Sequence, residues 1–285
     1  MRRRAALRAK TGTRALPPVE QLGRELLARL GFDLTGAQRR VLREVLEDLE
    51  RTQPMLRLVP GDVGSGKTVI AAFAAVRASE HHAQTAMMAP TEILAEQHYL
   101  NFRDWLEPLG INVVHLTGSQ TAAQRRQALK AISSGAASVA VGTHALFQKQ
   151  VQFSALALTI VDEQHRFGVH QRMALRAKGS LPHQLVMTAT PIPRTLTMAL
   201  YADMAVSIID ELPKGRQPID TVVLADNRRD EVFSRIEALL SRGEQAYWVC
   251  PLIEDSEQLN AMSVETLSGM LAHALPQHSI GILHG

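Results

Sequence analysis

The chain has 285 residues, 46% of them hydrophobic, 21% charged and 4% aromatic, the balance of a soluble α/β chain with room for one large domain or one and a half of medium size. Its longest apolar runs, such as Ala86 to Pro90 and Ala155 to Val161, fall far short of the ~20 residues that span a bilayer, so no membrane partner is expected. A single cysteine, Cys250, excludes an internal disulfide framework and reads as a small buried hydrophobe in a reducing compartment.

The net charge of +3 is unevenly placed. Arg2, Arg3, Arg4, Arg8, Lys10 and Arg14 stand in the first fourteen positions without an acid, so beyond them 25 basic residues face 28 acidic ones. Such a leader suits a connector from a longer protein, a solvated tail that touches nucleic acid, or an organellar transit peptide. It lacks the roughly 7–15-residue apolar stretch of a secretory signal. After Leu16-Pro17-Pro18, Glu20 to Leu30 predicts a short amphipathic helix stopped by Gly31. Leu34 to Leu49 follows, with Val41, Leu42, Val45, Leu46 and Leu49 on one helix face and Thr35 as its N-cap. Beyond Pro54, apolar runs at 55–59, 85–89, 112–116, 138–141, 156–161 and 184–187 predict strands that alternate with helices. Such a pattern predicts a parallel sheet covered on both faces, with ligands at the carboxyl ends of its strands.

Asp210 to Pro218 holds two prolines and a glycine and reads as an interdomain linker. Strands are expected after it at Thr221 to Ala225, Tyr247 to Leu252 and Ser279 to Leu283, with helices at Arg228 to Leu240 and Met262 to Leu275. Three strands and two helices do not close a doubly wound domain. The expected organisation is a basic leader and connector helix over 1–30, a nucleotide-binding domain over 31–212 and part of a second domain over 213–285.

Gly61, Asp62, Val63, Gly64, Ser65, Gly66, Lys67 and Thr68 fit G-x-x-x-x-G-K-[ST] between a predicted strand and a predicted helix, the context that the phosphate-binding loop requires. Glycines let successive backbone N–H groups turn toward phosphate oxygens, and the helix adds the positive end of its dipole. In an ATP site Lys67 reaches the β/γ-phosphates and Thr68 supplies a hydroxyl to Mg²⁺. The pair Asp162-Glu163 ends a buried strand, where adjacent acids are costly unless they face a cation. Asp162 is the expected Mg²⁺ carboxylate and Glu163 the group that polarises the attacking water. Phe32 and Gln38 precede Lys67 by about thirty positions, where ATP-driven motors carry a glutamine whose amide pairs with adenine. His144, His165 and His170 lack metal-ligand spacing, and no structural zinc is expected.

The strings GDVGSGKT at 61–68, APTEILAEQH at 89–98, LTGS at 116–119, VGTHALFQ at 141–148, VDEQHRFGV at 161–169, MTATPIPRT at 187–195, IDELPKGR at 209–216 and YWVCPLIEDSE at 247–257 resemble, in this order, the helicase core of the RecG family. The transcription-repair coupling factor is similar but typically has DEEH, so Gln164 favours RecG. Val59-Pro60 departs from the family's usual apolar residue and glutamine before Gly61. The resemblance implies a RecA-like P-loop NTPase lobe, followed by an incomplete second RecA-like lobe, in a monomeric ATP- and Mg²⁺-dependent motor of the bacterial cytoplasm and nucleoid. The motor would act on double-stranded and branched DNA at stalled forks and recombination intermediates. It further implies DNA contacts at Pro90, Thr91, Glu92, Thr117, Gly118, Thr143 and His144, and coupling of hydrolysis to lobe movement through Thr188, Ala189 and Thr190, with His165 in the catalytic set beside Lys67, Asp162 and Glu163. For each hydroxyl, a cap or turn role is the alternative. Against this pattern the chain is expected to be a fragment without the wedge domain and without the later arginines of the second lobe, and so slow to hydrolyse ATP. A non-catalytic ATP- and DNA-binding module is the alternative function, and a P-loop phosphotransferase a more distant one.

Overall fold

The computed structural model describes residues 12–19, 21–148, 150–162, 181–189, 204–211, 219–250 and 263–283. They fall into two compact units, 1–216 and 217–285. Glu163, His165, Gln164, His170 and Thr190 lie outside the described residues, as do most of the leader and most of the linker.

In the first unit, α1 (Gln21–Arg29) and α2 (Gly36–Leu49) lead into β1 (Leu56–Pro60), α3 (Lys67–Glu80), β2 (Gln84–Met88), α4 (Glu92–Leu106), β3 (Val113–Leu116), α5 (Ala122–Ser134), β4 (Val139–Gly142), β5 (Leu156–Asp162), β6 (His183–Thr188) and β7 (Ala205–Val206). The seven strands form one sheet in the order β3-β4-β2-β5-β6-β1-β7, and every pairing is parallel. The expected α/β architecture is therefore present, with each of the six predicted strands within a residue or so of its expected span. β7 has two residues and no apolar pattern long enough to mark it in the sequence.

The apolar runs follow from where the strands sit. β2, β4 and β5 are buried along their whole length, because crossover helices cover both faces of a parallel sheet. α3 is buried at every position from Val69 to Ala78, as expected of a helix apolar on all sides. Burying Val69, Ile70, Phe73 and Val76 contributes roughly 1.5–3 kcal/mol each. α2 is instead amphipathic, and Thr35 caps it in a reciprocal capping box with Gln38, an arrangement worth about 1 kcal/mol.

The end of the leader is built into this unit. Leu16 is fully buried, its N–H donates to the Leu49 carbonyl at 2.8 Å, and the Thr13 N–H donates to the Thr52 carbonyl at 2.8 Å. The reading of the leader as a solvated tail is thus corrected for residues 12–18: apolar Leu16 finds a place in the core.

The second unit contains α6 (Arg229–Leu240) and α7 (Val264–Ala274), the latter capped by Ser263. The strands expected at Thr221 to Ala225, Tyr247 to Leu252 and Ser279 to Leu283 are a correction: the described residues 219–225, 244–250 and 279–283 carry no strand. A strand exists through hydrogen bonds to a neighbour, and here Val223, Tyr247, Val249 and Leu283 lie exposed instead.

Candidate nucleotide site and the carboxyl edge of the sheet

Register brings the singled-out residues to one edge. Pro60 pairs with Thr188, Asp162 with Met187, Met88 with Val161 and with Gly142, and Leu116 with Gly142. Because all strands point the same way, Gly61, Ala189, Asp162, Pro90, Thr143 and Thr117 each stand at or just past the carboxyl end of their strand. The strand order divides this edge. β1, β6 and β5 carry the expected nucleotide and coupling residues; β2, β4 and β3 carry the expected DNA-contacting ones. Asp162 lies two strands from Gly61, roughly 10 Å at the usual strand spacing.

The loop from Gly61 to Gly66 turns directly into α3. Gly64 and Gly66 have φ of 79° and 86°, the left-handed region that favours glycine. At Gly66 a Cβ would meet Gln38 Nε2 at 2.2 Å, and at Gly61 one would meet Ser65 Oγ at 2.5 Å. Lys67 Nζ donates to the carbonyls of Gly61 at 2.6 Å and Asp62 at 2.9 Å, and the Asp62 carboxylate accepts from the Val63 N–H at 2.7 Å. Ser65 is fully buried, and its Oγ has no partner among the described residues. Backbone N–H groups at a helix start, a lysine and a hydroxyl at Thr68 make a donor set suited to phosphate and Mg²⁺. The proline before the loop sits at the last residue of β1, where it removes no loop N–H.

Gln38 is buried and already used at both ends. Its Oε1 accepts the Thr35 N–H at 2.8 Å and its Nε2 donates to the Ser65 carbonyl at 2.8 Å, which braces the loop against α2. An amide has two donors and two lone pairs, so each end keeps one position. Phe32, by contrast, is half exposed.

Asp162 is buried and accepts from His98 Nε2 at 2.8 Å. Thr188 is also buried, and its carbonyl accepts the Gly61 N–H at 3.1 Å, a direct link from β6 to the phosphate-binding loop. On the other half of the edge, Thr91 caps α4, accepting from the Leu94 N–H at 3.3 Å. Glu92 Oε1 accepts the N–H groups of Gly118 at 2.9 Å and Ser119 at 3.1 Å. Hydrogen bonding by Ser119 is the main reason the Glu92 carboxyl titrates below its usual range. Thr117 and Thr143 are buried and His144 is exposed; Thr143 Oγ1 has no partner among the described residues.

Three features were not legible in the sequence. His98 could not be told from an ordinary helix residue. Arg57 in β1 donates to Asp48 at 2.9 Å, to Glu44 at 3.0 Å and to the Ser207 hydroxyl. Past β7, the Ile209 N–H donates to the Pro60 carbonyl at 3.0 Å, Arg40 pairs with Asp210 at 2.7 Å, and Glu211 Oε2 accepts the Ala37 N–H at 2.8 Å. The last places a carboxylate at the positive end of α2.

A strand-loop-helix phosphate site with an acidic strand end two strands away, on a parallel sheet, defines a P-loop NTPase core. A protein-family model described as DEAD/DEAH box helicase matches residues 35–199, more than half of the chain, and the chain belongs to that family. Within it, the chain is 55% identical over 271 residues to the ATP-dependent DNA helicase RecG of Escherichia coli strain K12, with 93% of this chain and 39% of that protein covered. It is 54% identical over 269 residues to the RecG of Haemophilus influenzae, again covering 93% and 39%. A solved structure of RecG bound to a three-way DNA junction superimposes with a TM-score of 0.81 at 35% identity, over 96% of this chain and 36% of that one. The chain thus spans about two-fifths of the length of these RecG relatives.

Proposed function

We propose that this chain is the nucleotide-driven core of a DNA helicase or translocase that acts on branched DNA. The observation that carries the reading is the divided carboxyl edge: one continuous row of strand ends holds a phosphate-binding loop and an acidic strand end on one half and the residues of the DNA-contacting motifs on the other. The similarity to RecG, an ATP-dependent DNA helicase that is also seen bound to a three-way DNA junction, supports the same assignment.

In this reading the N–H groups of Gly64 to Thr68 take the phosphates, and Lys67 exchanges the Gly61 and Asp62 carbonyls for β/γ-phosphate oxygens. Thr68 and Asp162 would hold Mg²⁺, whose chemistry there would be to neutralise phosphate charge. Glu163 orients the attacking water, His165 belongs to the same catalytic set, and Thr188, Ala189 and Thr190 relay the state of the site. Phe32 and Gln38 flank the adenine; Gln38 can use its second N–H and second lone pair without leaving Ser65. Pro90, Thr91, Glu92, Thr117, Gly118, Thr143 and His144 line the DNA half, suited to backbone contacts that do not read bases. The chain works as a monomer in the bacterial cytoplasm, at the nucleoid.

The test is titration calorimetry with ATP and Mg²⁺. Replacing Lys67 by alanine removes the point charge facing the phosphates, and at least tenfold weaker binding is expected, about 1.4 kcal/mol. Equal affinity in both proteins sinks the site. Phosphate release with and without a three-way junction then separates a motor core from a module that only binds.

A further inference from the structure

The divided edge has a seam where β2 meets β5, and a side-chain bond between His98 and Asp162 crosses it there. His98 lies on α4, the helix that follows β2, and donates Nε2–H to Oδ2 of Asp162 at the end of β5, 2.8 Å away. Both side chains are nearly nine-tenths buried or more, with 9% and 12% exposed. The other ring nitrogen, Nδ1, is buried with no hydrogen-bond partner among the described residues. Leaving a buried polar atom unmatched is costly, and an apolar side chain in the same space would avoid that cost. The contribution that only the ring makes is the bond to Asp162.

We propose that His98 is the positioning residue for Asp162, resting on the nucleotide-site reading above. A carboxylate turns about a broad terminal torsion, whereas Mg²⁺ accepts ligands only in near-octahedral geometry. Fixing Oδ2 from the side of α4 presets the carboxylate plane before the ion arrives. Partners that orient a metal ligand in this way are generally worth about 10–100-fold in metal affinity. The bond also ties Asp162 to the helix that Thr91 caps and whose first turn carries Glu92.

The experiment is calorimetry of ADP into the full chain, once with Mg²⁺ and once with EDTA; the ratio of the two affinities is the share that depends on the metal. His98→Leu lowers that ratio about tenfold or more and leaves the EDTA affinity within about twofold of wild type. His98→Gln, whose amide nitrogen reaches about as far as Nε2, recovers most of the ratio. An unchanged ratio in H98L overturns the proposal, as does a loss in H98Q equal to that in H98L. Should H98L fail to fold by circular dichroism, H98N takes its place with the same expectation, since its amide is too short to reach Asp162. A wild type that binds ADP equally well in both buffers overturns the metal-site reading itself, while the variants bear on His98 alone.

Discussion

His183 is fully buried, and its ring is held by two hydrogen bonds that assign each nitrogen a role. Nδ1 accepts the Met55 N–H at 3.1 Å, and Nε2 donates to the Arg14 carbonyl at 2.9 Å. A proton on Nδ1 would point at an N–H that needs an acceptor. Burial pushes the His183 imidazole below its ordinary value of 6.5, against smaller opposing effects from the Arg14 carbonyl and Asp48. Above about pH 6.5 folded and unfolded chains are both neutral at this ring and the stability is complete. Below it the unfolded chain takes up a proton that the folded chain refuses, so stability falls with pH. The Tm of the first unit in differential scanning calorimetry is therefore expected to drop between pH 7.5 and 5.5. Glutamine at position 183 keeps a donor and an acceptor without titrating, and it should flatten that slope. His115, also lowered by burial, leaves a residual slope of the same sign. At Glu92 the expected change is local: Glu92→Ala removes the acceptor of the Gly118 and Ser119 N–H groups, and their amide exchange should quicken while the amides of α3 stay protected.

Among the elements, α2 is the one most heavily tied to the site. It braces the loop through Gln38, receives Glu211 at its first turn and reaches β1 through Arg57. Arg57 is 11% exposed and its partner Asp48 10%, whereas Glu44 is 36% exposed. Removing one member of a buried pair leaves an uncompensated charge and costs about 3–5 kcal/mol, toward the lower figure here because water reaches Glu44. Arg57→Met should thus lower the Tm of the first unit by several degrees, far more than Arg103→Met, which breaks the exposed pair with Asp104 and the cation–π contact over Tyr99. Thr35→Ala is expected to cost about 1 kcal/mol by opening the capping box. A Tm for R57M no lower than that of T35A would show that the network is dispensable.

At the scale of the whole chain, the two units differ in what holds them. α3 buries ten consecutive residues, Val69 to Ala78, whereas α6 buries none and α7 only Leu267. A helix of about a dozen residues without a buried face is marginal in water. Amide exchange in α6 and α7 should be orders of magnitude faster than in α3, and limited proteolysis should cut within 217–285 while a fragment close to 1–216 survives. Protection in α6 equal to that in α3 would contradict this account.

The amino-acid sequence alone determined the order and type of the first unit's helices and of its strands β1 to β6, because fully apolar runs and helical spacing are local consequences of a sheet covered on both faces. It also determined the phosphate-binding loop, whose glycines and lysine act within eight consecutive residues. Tertiary structure decided the rest. The strand order, and with it the division of the carboxyl edge, depends on pairings between segments as distant as Leu56 and Gln184. The bonds from His98 to Asp162, from Gln38 to Ser65 and from Glu211 to α2 join residues 64, 27 and 174 positions apart, and no local pattern marks them. The apolar runs beyond 217 resemble strands because β-propensity measures the fit to a half-buried pleated surface. Whether such a run becomes a strand is decided by a neighbouring strand that offers it hydrogen bonds.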